Sequence, residues 1–223
     1  CYGQWADFSV VAPAANYCTK LDDAHADLKD YVGIYGANGW TAWVGVVETG
    51  AAKAGETFVV SAAAGCTGLM AGQIAKALGC RVIGIAGGKE KCDYVVNELG
   101  FDACVDYKGG NLYKDVKAAA PDGIDGLFEN VGGVVMDSVL ARMNPFGRIA
   151  LCGLISGYDG EPMPIHNMRV LLSMRLTLQG FIVSEHMDLW PQGLTEIGTL
   201  VATGKLKFRE TVAEGLRSEE RRV

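Results

Sequence analysis

A chain of 223 residues, 49% of them hydrophobic, is long enough to bury one large core, or one core with a small lobe. Lys and Arg number 20 against 26 Asp and Glu, so the net charge is −6 and the pI is near 5.1; no overall basic field is available to hold nucleic acid. No apolar run reaches the ~18 residues that span a bilayer, and no charged-then-apolar leader precedes a cleavage site, so a soluble, cytoplasmic protein with no membrane partner is expected.

Residues 5–12 alternate enough to predict a strand, and 13–30, with Asp22, Asp23, Asp27 and Asp30, predict a surface loop or short helix. A glycine-rich stretch at 31–39 leads to an apolar segment, 41–47, that reads as a short helix closed by Gly50. Lys53-Ala54-Gly55-Glu56 is then a turn into an apolar strand that ends near Ser61. From there the chain alternates as βαβ units do. A helix over 69–78 has Met70, Ile74 and Leu78 on one face; a strand at 81–86, a helix over 89–99 ended by Gly100, and a strand at 103–106 follow. The spacing next predicts a helix over 112–119 stopped by Pro121, a strand at 126–130 entering the Gly132-Gly133 turn, a helix over 134–140 and a strand at 148–152. After a loop with Pro162 and Pro164 come a helix over 170–174 and a strand over 176–183. Right-handed crossovers between such units give an α/β fold, a doubly wound, mostly parallel sheet of order 3-2-1-4-5-6, with its ligand crevice at the C-terminal ends of the strands.

The first strand runs into Ala63-x-Gly65-x-x-Gly68 and then a helix. Gly65 lets backbone approach a pyrophosphate, Gly68 lets the helix lie close to the strand, and free N–H groups at the helix start face the phosphates; Ala63 stands where the first glycine is usual. A site for NAD usually ends its second strand in Asp or Glu, which holds the ribose hydroxyls. Here Ile85-Ala86 continues into Gly87-Gly88-Lys89-Glu90-Lys91. A 2′-phosphate carries about −1.5 to −2 charge, and each charge-assisted hydrogen bond to it is worth ~1.5–3 kcal/mol, which favours NADPH. The competing reading is a solvated helix start whose lysines serve solubility.

The seven cysteines, 1, 18, 66, 80, 92, 104 and 152, form no C-x-x-C pair and suit small buried thiols in a reducing compartment rather than a disulfide framework. Cys66, at a helix N-terminus, reads either as a thiol of lowered pKa that meets electrophiles or as a small residue tolerated in the turn. His25, His166 and His186 lack ligand spacing, so no metal site is expected. Tyr113-x-x-x-Lys117 has the spacing of a catalytic Tyr/Lys pair but falls on a helix away from the crevice and reads as surface. A first residue that is Cys, and a charged end at 217–223, predict a fragment of a longer protein.

Five ordered motifs, Ala63-Ala64-Gly65-Cys66-Thr67-Gly68, Ala86-Gly87-Gly88-Lys89-Glu90-Lys91, Glu129-Asn130-Val131-Gly132-Gly133, Cys152-Gly153-Leu154-Ile155-Ser156-Gly157-Tyr158 and Leu178-Gln179-Gly180-Phe181-Ile182-Val183, together resemble the zinc-independent medium-chain reductases, which include curcumin reductase, prostaglandin reductase and the plant alkenal double-bond reductases. The resemblance covers most of 31–210. It implies a homodimer whose subunits pair a GroES-like catalytic domain with a Rossmann domain, and NADPH-dependent reduction of the carbon–carbon double bond of small-molecule α,β-unsaturated ketones and aldehydes. By motif, Gly65, Cys66, Thr67 and Gly68 take the pyrophosphate, and Gly87, Lys91 and Tyr107 surround the adenosine ribose phosphate. Asn130, Cys152 and Tyr158 then lie along the nicotinamide ribose, and Phe181, Ile182 and Val183 beside the nicotinamide. Hydride reaches the β-carbon, charge grows on the substrate oxygen, and Tyr158 is the candidate donor there; otherwise Tyr158 is a loop aromatic packed over a glycine turn. Trp40 and Trp43 occupy a segment that the family uses near its substrate, with departures from the family pattern around them.

The implied division is a catalytic-domain remnant at 1–39, the NADP-binding Rossmann domain at 40–184, and a truncated helix and return segment at 185–223. Two other functions fit the same residues: a quinone reductase of the same superfamily, and a non-catalytic NADPH-binding module or sensor.

Overall fold

The computed structural model describes Leu21 and residues 26–210. The strand expected at 5–12, most of the polar segment after it, Cys1, Cys18, His25 and the charged end lie outside the described residues. Two compact units result, Cys1–Tyr31 with Arg209–Val223, and Val32–Phe208. In the first, the described part comprises a 3-10 turn at Leu28–Tyr31 and an ion pair between Lys29 and Glu210 at 2.7 Å.

The second unit is built on six parallel strands: β1 (Thr57–Ser61), β2 (Arg81–Ala86), β3 (Ala103–Asp106), β4 (Ile124–Glu129), β5 (Met143–Leu151) and β6 (Thr177–Gly180), in the order 3-2-1-4-5-6. This is the expected sheet. The helices are α1 (Ala37–Trp43), α2 (Cys66–Ala77), α3 (Lys89–Asn97), α4 (Leu112–Ala119), α5 (Gly133–Leu140), α6 (Arg169–Ser173) and α7 (Trp190–Ala202). One sheet face is covered through Met70, Ile74, Val95 and Leu99, with Trp40, Trp43 and Ile197 extending that core outward. The other carries Val116, Val135, Val139 and Leu140 over Val59, Ile83, Ile85 and Leu127. With both faces covered, every residue of β1 is buried, as a central parallel strand requires.

Several boundaries differ from expectation for physical reasons. The first helix starts at Ala37, not at 41, and continues as a π-helical stretch, Val44–Thr49, to Gly50. Helix α2 begins at Cys66 and is buried all round from Gly68 to Ala75, because α1 covers its outer side; Leu78, expected on the core face, is its C-cap and 37% exposed. Strand β5 starts five residues early, through Asn144-Pro145-Phe146-Gly147, where its register with β4 shifts. Strand β6 stops at Gly180 because its last partner is Leu151, the final residue of β5; Phe181 and Ile182 lie beyond it, and Val183 opens a 3-10 segment, Val183–Leu189. Among the described residues no helix is long and apolar enough to cross a membrane.

Candidate active site

Among the described residues, the C-terminal ends of the strands line a first and a second cavity. The first, about 510 Å³, is lined by Gly65 after β1, by Gly87, Lys91 and Tyr107 after β2 and β3, and by Gly132 and Ser156 after β4 and β5. The second, about 420 Å³, is lined by Cys152, Leu154, Tyr158, Phe181, Ile182 and Glu185. Of the sequence-derived site residues, Gly65, Gly87, Lys91 and Tyr107 line the first cavity, and Cys152, Tyr158, Phe181 and Ile182 the second. Cys66, Thr67, Gly68, Asn130 and Val183 line neither.

At the first turn, Gly65 is the N-cap of α2 and supplies no side chain to its N–H groups. Gly68 is required by close approach: a Cβ there would lie 2.3 Å from the carbonyl oxygen of Ala62. Thr67 turns its hydroxyl to Asn38 on α1, at 3.2 Å, rather than into the cavity. Desolvation pushes the Cys66 thiol above its ordinary pKa, so the reading of a lowered pKa is corrected and a small residue in the turn remains.

At the second turn, Asp106 organises the backbone. Its Oδ1 accepts from Gly88 N at 2.8 Å and Lys108 N at 2.9 Å, and these two bonds hold its carboxyl below the usual range. Gly87 lies against the Tyr107 ring so closely that a Cβ would sit 2.7 Å from it. The two lysines of the turn differ. Lys89 is engaged by Asp93 one helical turn on, at 2.5 Å, whereas Lys91 faces the cavity and has no ion pair among the described residues.

At the end of β4, Glu129 is fully buried. Its Oε1 accepts from Ser61 Oγ at 2.9 Å, Val131 N at 2.5 Å and Gly132 N at 2.8 Å, while its Oε2 has no hydrogen-bond partner. Burial outweighs these donors and raises its pKa. Ser61 Oγ in turn accepts from Asn130 N at 2.7 Å, and Asn130 Nδ2 donates to Ser61 O at 2.8 Å. Asn130 therefore spends its amide donor on the end of β1. Glu129, Ser61 and Asp106 were not singled out as site residues; a charged residue closing the apolar run Gly126-Leu127-Phe128 was the available signal for Glu129.

At the end of β5, Tyr158 is 71% exposed and folds back over its own loop, its hydroxyl oxygen accepting from Leu154 N at 3.4 Å and standing 3.3 Å from where a Cβ on Gly153 would be. It stands over a glycine turn, as its packing reading expects, and it also lines the second cavity. Burial, and then the charge of Glu129, push the Cys152 thiol up to about 11. Tyr113 hydrogen-bonds Asp137 at 2.5 Å, outside both cavities.

Among the described residues no group of three His, Cys, Asp or Glu could hold a metal ion. The first cavity does fit a phosphorylated dinucleotide: a close glycine turn, a helix N-terminus and an unpaired lysine converge on it.

The chain is 42% identical over 216 residues to a putative NADP-dependent oxidoreductase, YfmJ, of Bacillus subtilis, covering 95% of this chain and 63% of that protein. It is likewise 42% identical over 216 residues to the NADP-dependent 2-alkenal reductase of Nicotiana tabacum, covering 96% of this chain and 63% of the other. The crystal structure of CurA from Vibrio vulnificus in complex with NADPH superposes with a TM-score of 0.81 at 40% identity, over 86% of this chain and 59% of that one. The chain therefore spans less than two thirds of the length of these relatives. With residues 66–199 matching the zinc-binding dehydrogenase family, more than half of its length, the chain belongs to that family.

Proposed function

We propose that this chain is the coenzyme-binding part of an NADPH-dependent reductase that saturates the carbon–carbon double bond of α,β-unsaturated ketones and aldehydes. The observation that carries the reading is Lys91, a cation without an ion pair among the described residues, in the same cavity as the Gly65 turn and at a second-strand end without a carboxylate. Relatives named 2-alkenal reductase, pulegone reductase and NADPH-dependent curcumin reductase, at 37–42% identity, support the substrate class.

In this reading the N–H groups at the start of α2 bind the pyrophosphate, with Gly65 and Gly68 allowing the approach. Lys91 holds the 2′-phosphate, and Gly87 and Tyr107 form the wall beside it. NADPH, when bound, supplies the hydride that the β-carbon of the substrate receives. Tyr158 receives a hydrogen bond from Leu154 N, which leaves its own O–H free to donate to the substrate oxygen as negative charge grows there; one such donor is worth ~2.7–4 kcal/mol in the transition state. Cys152, with its thiol pushed up to about 11, stays protonated at neutral pH and does not add to the electrophilic substrate. The flanking segments 1–39 and 185–223 belong, in the same proposal, to a catalytic domain completed in a longer protein. Association into a homodimer is part of it, supported by the exposed edge strand β6, and so is cytoplasmic residence, supported by five free thiols among the described residues.

The test follows NADPH absorbance, its loss with a small enone or a quinone plus NADPH and its gain with a saturated alcohol plus NADP, on the chain and on the longer protein. Turnover of the enone is expected. Turnover of the alcohol alone retires the proposal, turnover of the quinone alone shifts it to a quinone reductase, and NADPH binding without any turnover in the longer protein shifts it to a binding module.

A further inference from the structure

Cys92 and Cys104, both free thiols, meet where α3 crosses β3. Cys92 lies on α3 three residues before Val95 and seven before Leu99, so the three share one helix face, and Val95 and Leu99 are buried under it. In the sheet, Cys104 pairs with Gly84. A Cβ on Gly84 would lie 2.9 Å from Val95 Cγ1, which places that helix face directly over this point of β2 and β3. Cys104 packs into the same core, on the sheet face that α3 covers; its Sγ donates to the Val105 carbonyl oxygen at 4.0 Å, and its thiol is close enough to that of Cys92 for the two to interact electrostatically. Cys92 stands between exposed Lys91 and Asp93 in the first turns of the helix, and both cysteines are partly exposed. The two cysteines are also joined by short lengths of backbone to the first cavity: Lys91 precedes Cys92, and Tyr107 follows Cys104 by three residues.

We propose that Cys92 and Cys104 form an oxidative modification site, a dithiol that low-molecular-weight disulfides close to an intramolecular disulfide, and that closure displaces Lys91 from its place in the cavity. The Cys92 thiolate attacks one sulfur of the small disulfide, forming a mixed disulfide and releasing one small thiol. Cys104 then loses its proton and attacks the Cys92 sulfur, expelling the second small thiol. Two protein thiols are oxidised and one small disulfide is reduced to two thiols. Burial raises the Cys104 pKa and persists once Cys92 is a mixed disulfide, so this second step is the slower one at neutral pH. A covalent bond holds the two sulfurs closer than a thiol–thiol contact does, so closure draws the first turn of α3 toward β3. The consequence for coenzyme rests on the cofactor reading above; the disulfide does not.

The full chain, treated with oxidised glutathione and quenched with iodoacetamide, is mapped by peptide mass spectrometry, with hydrogen exchange over 87–92 and an NADPH titration on the same samples. The expected result is a crosslinked peptide pair containing Cys92 and Cys104, lighter by two hydrogens and reopened by dithiothreitol. Exchange at 87–92 changes with it, and NADPH affinity falls by about ten-fold, as loss of one charge-assisted hydrogen bond produces. Cys92→Ser abolishes the crosslink and the changes that follow it, whereas Cys104→Ser leaves Cys92 carrying glutathione. Full alkylation of both thiols, a glutathione adduct that never resolves, or a crosslink that leaves exchange at 87–92 unchanged overturns the proposal. Failure of the reduced chain to bind NADPH overturns the coenzyme reading instead, and the crosslink and exchange data still decide this one.

Discussion

Ser61 and Glu129, 68 residues apart, meet at 2.9 Å where β1 and β4 end, and the serine hydroxyl passes the contact on by accepting from Asn130 N. The glycine turn after β4 therefore hangs on one buried carboxylate that accepts from three donors. Because the folded-state pKa of Glu129 is raised, the native state holds its proton to higher pH than the unfolded chain does. Its contribution to stability is thus full below the ordinary carboxylate pKa and is lost as pH rises through the folded value. Urea denaturation across that window is expected to show stability falling more steeply in the parent than in Glu129→Gln. Parallel curves would remove Glu129 as the titrating group.

Lys91→Ala is expected to weaken NADPH by ~1.5–3 kcal/mol while leaving NADH nearly unchanged, since the second coenzyme lacks the 2′-phosphate. Calorimetric titration of both coenzymes reads the difference. An equal loss for the two would place the phosphate elsewhere. Lys89→Ala, which removes a lysine already paired with Asp93, is the matched control and should change neither.

At Gly68, a methyl group would sit 2.3 Å from the Ala62 carbonyl oxygen, and a backbone atom has little room to yield. Gly68→Ala should cost about 1–3 kcal/mol in folding stability as α2 is pushed off β1. Thermal unfolding measures the cost; an unchanged midpoint would mean that the turn opens freely.

Tyr158→Phe removes the proposed donor to the substrate oxygen, and with it the acceptor for Leu154 N, but keeps the ring in the second cavity. In the longer protein, kcat with an enone is expected to fall by about 10²–10³, as it does when a single oxyanion donor is lost, with NADPH affinity unchanged. Retained kcat would leave Tyr158 with packing alone.

Alkylation of Cys152 should be slow at neutral pH and accelerate until about pH 11, where burial and Glu129 place its ionisation. Peptide-resolved labelling with iodoacetamide across pH gives the profile. A midpoint near that of an ordinary thiol would mean that water reaches the sulfur freely.

Much of this protein was written locally. The bounds of β2, β3 and α4 follow from apolar runs and stop signals within each segment, and the sheet order is the one expected of two βαβαβ halves that hold a dinucleotide. The glycine spacing at 65–68 and the absence of an acid after β2 are likewise one-dimensional facts, set by what a phosphate needs from the nearest few residues. Tertiary structure decided what depends on partners distant in sequence. Residues 143–147, ahead of the strand expected at 148–152, join β5 because β4 lies beside them, and Phe181–Val183 read as strand yet leave the sheet because β5 has already ended. The sequence placed Lys89 and Lys91 in one cationic turn; the fold pairs the first with Asp93 and leaves the second facing the cavity. Asn130 turns back to Ser61, and Glu129 becomes the buried centre of its turn, through hydrogen bonds across 68 and 69 residues. Periodicity reports which face of an element is apolar, but the direction and burial of a single polar side chain are set by whichever donor or acceptor the fold brings within about 3 Å of it.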